Sequence, residues 1–235
     1  MRVLKSTVLT ALVVLASTAA YAADIPVRQA MPAKAVPVAP PVFTWTGFYA
    51  GVNAGWGWSD GDGTLITGGA TVPLSGSGNG FLGGVQIGYN WQTGPLVFGI
   101  ETDFQGSTGS GDLNGSGGGV TVSSGDLKTP WFGTIRGRLG YAWDRWMVYL
   151  TGGGAYSRVT WDGTLSTTGP FSSSATGWSW TLGGGVETML WDRWSVKLEY
   201  LYVATPDSFP TPPGTTDMSG DTHTNIIRAG LNYHF

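Results

Sequence analysis

The sequence contains no cysteine, which excludes a disulfide framework, a thiolate metal centre and thiol catalysis. It is also poor in charge. Charged residues make up 11% of the 235-residue chain, where a soluble domain carries about 25%, so a charged exterior is not available to keep this chain dispersed in water. The net charge of −3 provides no basic stripe for nucleic acid. From Trp45 onward there is no sustained 3.6-residue period, and the one apolar run near the start falls short of the ~20 residues that a membrane-spanning helix needs.

What is abundant is glycine, at 39 residues, and aromatic side chains, at 13%. The basic start Met1-Arg2-Val3-Leu4-Lys5, the apolar run Val8 to Ala16 and the small-x-small site Ala20-Tyr21-Ala22 have the layout of a secretory signal peptide, here residues 1–22, cleaved after Ala22. Residues 23–44 repeat proline at 26, 32, 37, 40 and 41 among alanine and valine. Such a segment favours extended conformations and packs no core, so it reads as a leader. The folded domain then spans residues 45–235.

Within it the hydrophobic pattern has a period of two, the signature of strands with one apolar face. Phe48, Ala50, Val52, Ala54, Trp56 and Trp58 form the first stripe, and Phe81, Val85, Ile87, Tyr89 and Trp91 the second. Further stripes run through Leu96–Phe104, Trp131–Trp143, Trp146–Tyr156, Trp178–Leu190, Trp194–Tyr202 and Ile227–Phe235. The fifth, interrupted by Gly152-Gly153-Gly154, has the least defined register. These eight stripes are joined by long connections (59–79, 106–128, 158–176, 204–222) rich in Gly, Ser, Thr and Asp, alternating with tight ones near 92–95, 144–145 and 191–193. Long connections at one end and tight turns at the other predict an all-β, eight-stranded antiparallel up-and-down transmembrane β-barrel with long extracellular loops and short periplasmic turns.

A soluble sandwich or lipocalin-like barrel also alternates, but it faces its charges outward. Here the polar face carries few charges, and they balance: Glu101, Asp103, Glu187 and Glu199 against Arg136, Arg138, Lys197 and Arg228. A closed lumen requires such neutrality, because an unpaired buried charge is costly. If the last tight turn is centred on Asp192, Glu187 lies directly opposite Lys197 on the adjacent strand.

The aromatics sort by depth. Trp91, Trp143, Trp146, Trp191, Trp194, Tyr233 and Phe235 gather at the tight-turn ends, and Trp56, Phe81, Trp131, Trp178 and Tyr202 are among those at the other ends, with aliphatic residues between. Trp and Tyr favour the membrane interface, where the ring meets lipid and the NH or OH reaches water. The tetrapeptide WDRW occurs twice, at 143–146 and 191–194. It reads as a turn with Asp and Arg in water and its tryptophans anchored in the interface.

The run WTGFYAGVNAGWGW from Trp45 to Trp58, following an Ala/Pro-rich leader, resembles the small outer-membrane barrels of alphaproteobacteria, porin-family surface antigens related to opacity proteins and the OmpA transmembrane domain. The ending Leu231-Asn-Tyr-His-Phe235 is similar to the signal read by the barrel assembly machinery. The resemblance covers residues 45–235 and implies an outer-membrane location in a Gram-negative cell. Its implied partners are outer-membrane lipid, lipopolysaccharide and, through Phe235, the assembly machinery; a monomer is expected. It is weak for function, since members are described as surface antigens, envelope-integrity proteins, porin-like proteins and haemin binders.

Other motifs carry less. Gly78-Asn-Gly-Phe-Leu-Gly83 matches GxGxxG, but it leads from a loop into a strand and lacks the following helix that dinucleotide binding needs. Asn114-Gly-Ser116 is a sequon without a bacterial meaning. His223, beside Asp221, is a candidate haem or metal ligand whose simpler reading is a solvated loop residue. Ser219 and His223 are close in sequence, but acid–base catalysis needs a positioned pair. The long connections hold Asp60, Asp62, Asp112, Asp126, Asp162, Asp207, Asp217 and Asp221 against Lys128 and Arg158, an acidic set that reads as solvated. Eight strands enclose only enough space for side chains, although Gly51, Gly55, Gly84, Gly88 and Gly99 on the lumen face leave some room. The expectation is a non-catalytic surface barrel with no cofactor; a narrow channel for small solutes is the alternative, and a haemin-binding or lipid-modifying barrel is a further one.

Overall fold

Alternating side chains and a high content of Val, Trp, Tyr and Thr extend the backbone, and the computed structural model shows almost nothing but strand. It describes residues 43–166, 169–205 and 217–235. The expected signal peptide 1–22, positions 23–42 of the leader, and Asp207 lie outside the described residues.

The strands are β1 (Gly47–Thr67), β2 (Ala70–Thr93), β3 (Leu96–Ser107), β4 (Ser110–Gly117), β5 (Val120–Trp143), β6 (Trp146–Leu165), β7 (Gly169–Trp191), β8 (Trp194–Thr205) and β9 (Asp217–His234). All pairings are antiparallel, and β1 pairs with both β2 and β9, which closes the ring. β3 and β4 are separated only by Thr108-Gly109, and both lie between β2 and β5. Nine strands therefore fill eight positions, and the expected eight-stranded antiparallel barrel is the observed fold.

Its polarity is inside out. Val85 and Leu182 are each 58% exposed, whereas Glu101, Arg136, Lys197 and Arg228 are each 1% exposed. Only a surrounding apolar phase rewards that arrangement. All eight expected apolar stripes face outward, including the fifth, whose ladder passes through Gly152-Gly153-Gly154 without a break.

Two expectations need correction. The long connections 59–79, 106–128 and 158–176 are not coil: in the described residues they continue the strands as hairpins. β1 has 21 residues, about twice the 9–11 that cross a bilayer. Gly68-Gly69 and Gly118-Gly119 close two of these hairpins with φ of 57° and 80°, and 59° and 79°, the paired left-handed conformation of a tight hairpin turn. Toward these tips the inward face becomes apolar again. Leu65, Val72, Leu74, Val120 and Val122 are buried, and Gly115, between Leu74 and Val122 in the ladder, has no space for a side chain because the Leu74 methyl occupies it.

The second correction concerns the last tight turn. It is not centred on Asp192. Trp191 pairs with Trp194 across Asp192-Arg193, and a bulge between Met189 and Trp191 absorbs one residue. The bulge compensates the shifted turn, so Glu187 still faces Lys197.

Candidate functional site

The ring positions inward-facing side chains from most strands at one level. β3 brings Glu101 and Asp103, β5 Arg136 and Arg138, β7 Glu187, β8 Lys197 and Glu199, and β9 Arg228. All eight expected lumen charges are buried in a single network. Two of the ion pairs join Cα partners on neighbouring strands, Arg136–Glu101 and Arg228–Glu199 at 2.6 Å. Arg136 also donates to Asp103, on the same neighbouring strand, at 2.9 Å. Others reach across the lumen: Lys197 Nζ contacts the two oxygens of Glu101 at 2.9 and 2.8 Å, and Arg228 donates to Asp103 at 2.8 Å. Arg138 pairs with Glu187 and lies 3.7 Å over the Tyr149 ring. The Glu187–Lys197 register pair is thus not an ion pair: each side chain finds its partner on a strand that is not its neighbour.

Neutral groups complete the set. Tyr49 donates to Glu101 at 2.8 Å, Tyr149 to Glu199 at 2.9 Å and Thr134 to Asp103 at 2.8 Å. Asn53 donates to Gln86 at 2.9 Å, Gln86 to Asn232, and Asn232 to Glu187 at 2.8 Å, an amide chain that ties β1, β2 and β9 to the charges. Sequence reasoning did not single out Asn53 or Gln86 as network members. Their signal was available: they are inward positions on β1 and β2, which bring no charge to the network.

This charged tier is sealed on both sides. Toward the tight-turn end Trp45, Val97, Ala142, Met147, Tyr149 and Met189 form an apolar cluster with Phe43 packed on it. Trp45 reaches this position because its backbone N–H donates to Gln92 at 2.7 Å. Its ring lies 5.7 Å from that of His234, which also stacks on Tyr49 and shares a 2.9 Å hydrogen bond with Ser195. Toward the long-hairpin end Leu82, Leu201 and Ile226 form a second apolar layer with Phe132 and Val203. Above it is a cavity of about 210 Å³ whose wall includes Ser157, Ser179, Thr205, Thr222 and Thr224. The room expected at the lumen glycines is filled. A side chain at Gly51 or Gly55 would meet the β9 backbone, at Gly84 that of β3, at Gly88 the Tyr49 ring and at Gly99 the Asn90 amide.

The remaining candidates lie on the outer wall. Ser219 and His223 sit four residues apart on β9, about 13 Å along a strand, which separates them too far for proton transfer. His223 hydrogen-bonds Tyr202 at 2.8 Å and stacks on it. Among the described residues no group of three His, Cys, Asp or Glu is placed to hold a metal. Trp91, Trp143, Trp146, Trp191, Trp194 and Phe235 are all exposed at the tight-turn end, and Tyr233 bridges Trp194 and Phe235 with ring separations of 5.1 and 5.2 Å.

A closed ring with an apolar exterior and a sealed ionic interior is the arrangement of an outer-membrane barrel, and the family described as outer membrane protein beta-barrel domain matches residues 8–235. The chain belongs to this family. The 31 kDa outer-membrane immunogenic protein of Brucella melitensis biotype 1 is 36% identical over 99% of this chain and all of its own. The 25 kDa outer-membrane immunogenic protein of Brucella abortus biovar 1 is 30% identical over the full length of both. Among solved structures, the outer membrane protease OmpT of Escherichia coli is 9% identical with a TM-score of 0.50, covering 82% of this chain and 98% of that one; the likeness is one of fold alone. The resemblance seen in the sequence and the outer-membrane location both hold, and this outer-membrane barrel is a member of a surface-antigen family. Its tight turns are accordingly periplasmic and its long hairpins extracellular.

Proposed function

We propose that this barrel is a non-catalytic, surface-exposed structural protein that contributes to envelope integrity and to contacts at the cell surface. The observation that carries the proposal is the lumen: among the described residues an apolar seal, an ionic tier and a second apolar layer lie in series, an order that opposes a continuous polar path. The chemistry the protein offers is then on its outside. The hairpins extend its surface beyond the membrane, and the immunogenic names of its relatives support their accessibility. The exposed tryptophans at the periplasmic turns act as depth anchors, held by lipid around the ring and water at the polar edge. β9, followed by the 72% exposed Phe235, serves as the strand read by the assembly machinery.

The test is conductance of the refolded protein in a planar lipid bilayer. A silent bilayer is expected. Discrete steps that vanish when Arg136 or Glu101 is altered would overturn the proposal in favour of a narrow solute channel, and altered lipid A in cells overexpressing the barrel would overturn its non-catalytic part.

A further inference from the structure

The extracellular mouth of the lumen is a blind cavity, and its chemistry is unlike that of the tier beneath it. Leu82, Phe132, Val203 and Ile226 make its floor, and this layer separates it from the buried ions. Its wall carries hydroxyls: Thr222 and Thr224 on β9, Ser157 on β6, and the Ser179–Thr205 pair, whose oxygens are 2.7 Å apart. No lysine or arginine lines it among the described residues, and the charged residues that border it, Asp60, Asp62 and Asp112, are all acidic.

We propose that this mouth is a binding site for a small uncharged amphiphile, with its apolar end on the Leu82–Ile226 floor and its hydroxyl or carbonyl end among the Ser and Thr side chains. Charge decides against the alternatives. An anion entering the cavity loses its hydration and finds no cation among the described residues that line it. A cation is drawn to the rim, but at the floor meets only apolar carbon. A neutral ligand meets neither cost, since its desolvated polar group is repaid by hydroxyls that both donate and accept. Size sets a further bound. A volume of about 210 Å³ lies below the roughly 300–1,000 Å³ of drug-sized ligand sites, which suits a single ring or a short chain. Concave, largely apolar pockets with a few convergent polar groups are the usual form of small-molecule sites.

Benzyl alcohol, benzoate and benzylammonium are near-isosteres that isolate the charge. They are titrated into the barrel in lipid nanodiscs, with NMR observation of the methyl groups of Leu82 and Ile226 and with lipid-facing Ile227 as the control for partition into the bilayer. Benzyl alcohol is expected to shift the Leu82 and Ile226 signals saturably, and each charged isostere to bind at least tenfold more weakly. Ile226→Trp, which fills the floor, is expected to abolish the response. Thr224→Val, which keeps the size and removes a hydroxyl, is expected to weaken benzyl alcohol several-fold and to leave toluene unchanged. Non-saturating shifts, shifts confined to Ile227, equal affinity for all three isosteres, or indifference to Thr224→Val would each overturn the assignment.

Discussion

Glu101 shows what each residue of the lumen must do. Its carboxylate accepts from Lys197, Arg136 and Tyr49 at once, and its side chain is fully enclosed. Removing it leaves two cations in a dry interior with fewer partners, and breaking one side of a buried pair costs about 3–5 kcal/mol. Glu101→Ala is therefore expected to lower the stability of the refolded barrel by that amount in a denaturant titration. Adding Lys197→Met should recover part of the loss, because the orphaned charge is then gone. No recovery would mean that Glu101 acts on something other than these ions. The outer wall offers the opposite case. Asp62 and Asp221 are exposed Cα partners on β1 and β9, and like charges directly opposite destabilise a strand pair. Asp221→Lys is expected to stabilise by about 0.2–1 kcal/mol, an effect that should fade in high salt. The eight lumen charges were legible in the sequence because inward facing follows from a period of two and neutrality from the cost of burial. Their pairings were not, because Lys197 bonds to Glu101 across the lumen, and that reach depends on the barrel's width and not on any spacing along the chain.

At the level of elements, the tight turns were legible and the long hairpins were not. A strand crossing the bilayer announces itself by side chains that lipid must accept. Above the membrane, backbone pairing continues without that demand, and the Gly, Ser, Thr and Asp that suit it are also the composition of a loop. The two WDRW turns show how much register depends on what surrounds them. Both pair Trp with Trp across Asp-Arg, yet Asp144 alone takes a left-handed φ, at 52°, and only the second copy is preceded on β7 by an adjacent bulge. Because the bulge sits between Met189 and Trp191, deleting Leu190 should leave an uninterrupted ladder with Glu187 still opposite Lys197. The deletion is expected to keep the heat-modifiable electrophoretic shift of a folded barrel; its loss would show that the bulge itself is required. Facing can be tested in the same strands. Leu182→Arg, on the lipid side of β7, should cost about 2–4 kcal/mol. Ser157→Arg, in the solvated mouth, should be far milder. Equal costs would contradict the inside-out assignment.

For the whole molecule, the decisive property is that its barriers are in series. Trp45 and its neighbours close the periplasmic end, the ions fill the middle, and the Leu82–Leu201–Ile226 layer closes the floor of the mouth. Opening one barrier leaves the others intact, and a narrow apolar layer resists wetting even where polar space lies beyond it. Single breaches are therefore expected to stay silent in a planar bilayer: Trp45→Ala at the periplasmic seal, Glu101→Ala with Arg136→Ala in the ionic tier, or Leu82→Ala with Ile226→Ala in the upper layer. Only the protein carrying all three breaches should conduct, and its current should favour small ions, since an eight-stranded ring has no width for more. Conduction after the ionic breach alone would mean that the apolar layers yield to water, and the lumen would then be a gated path instead of a plug.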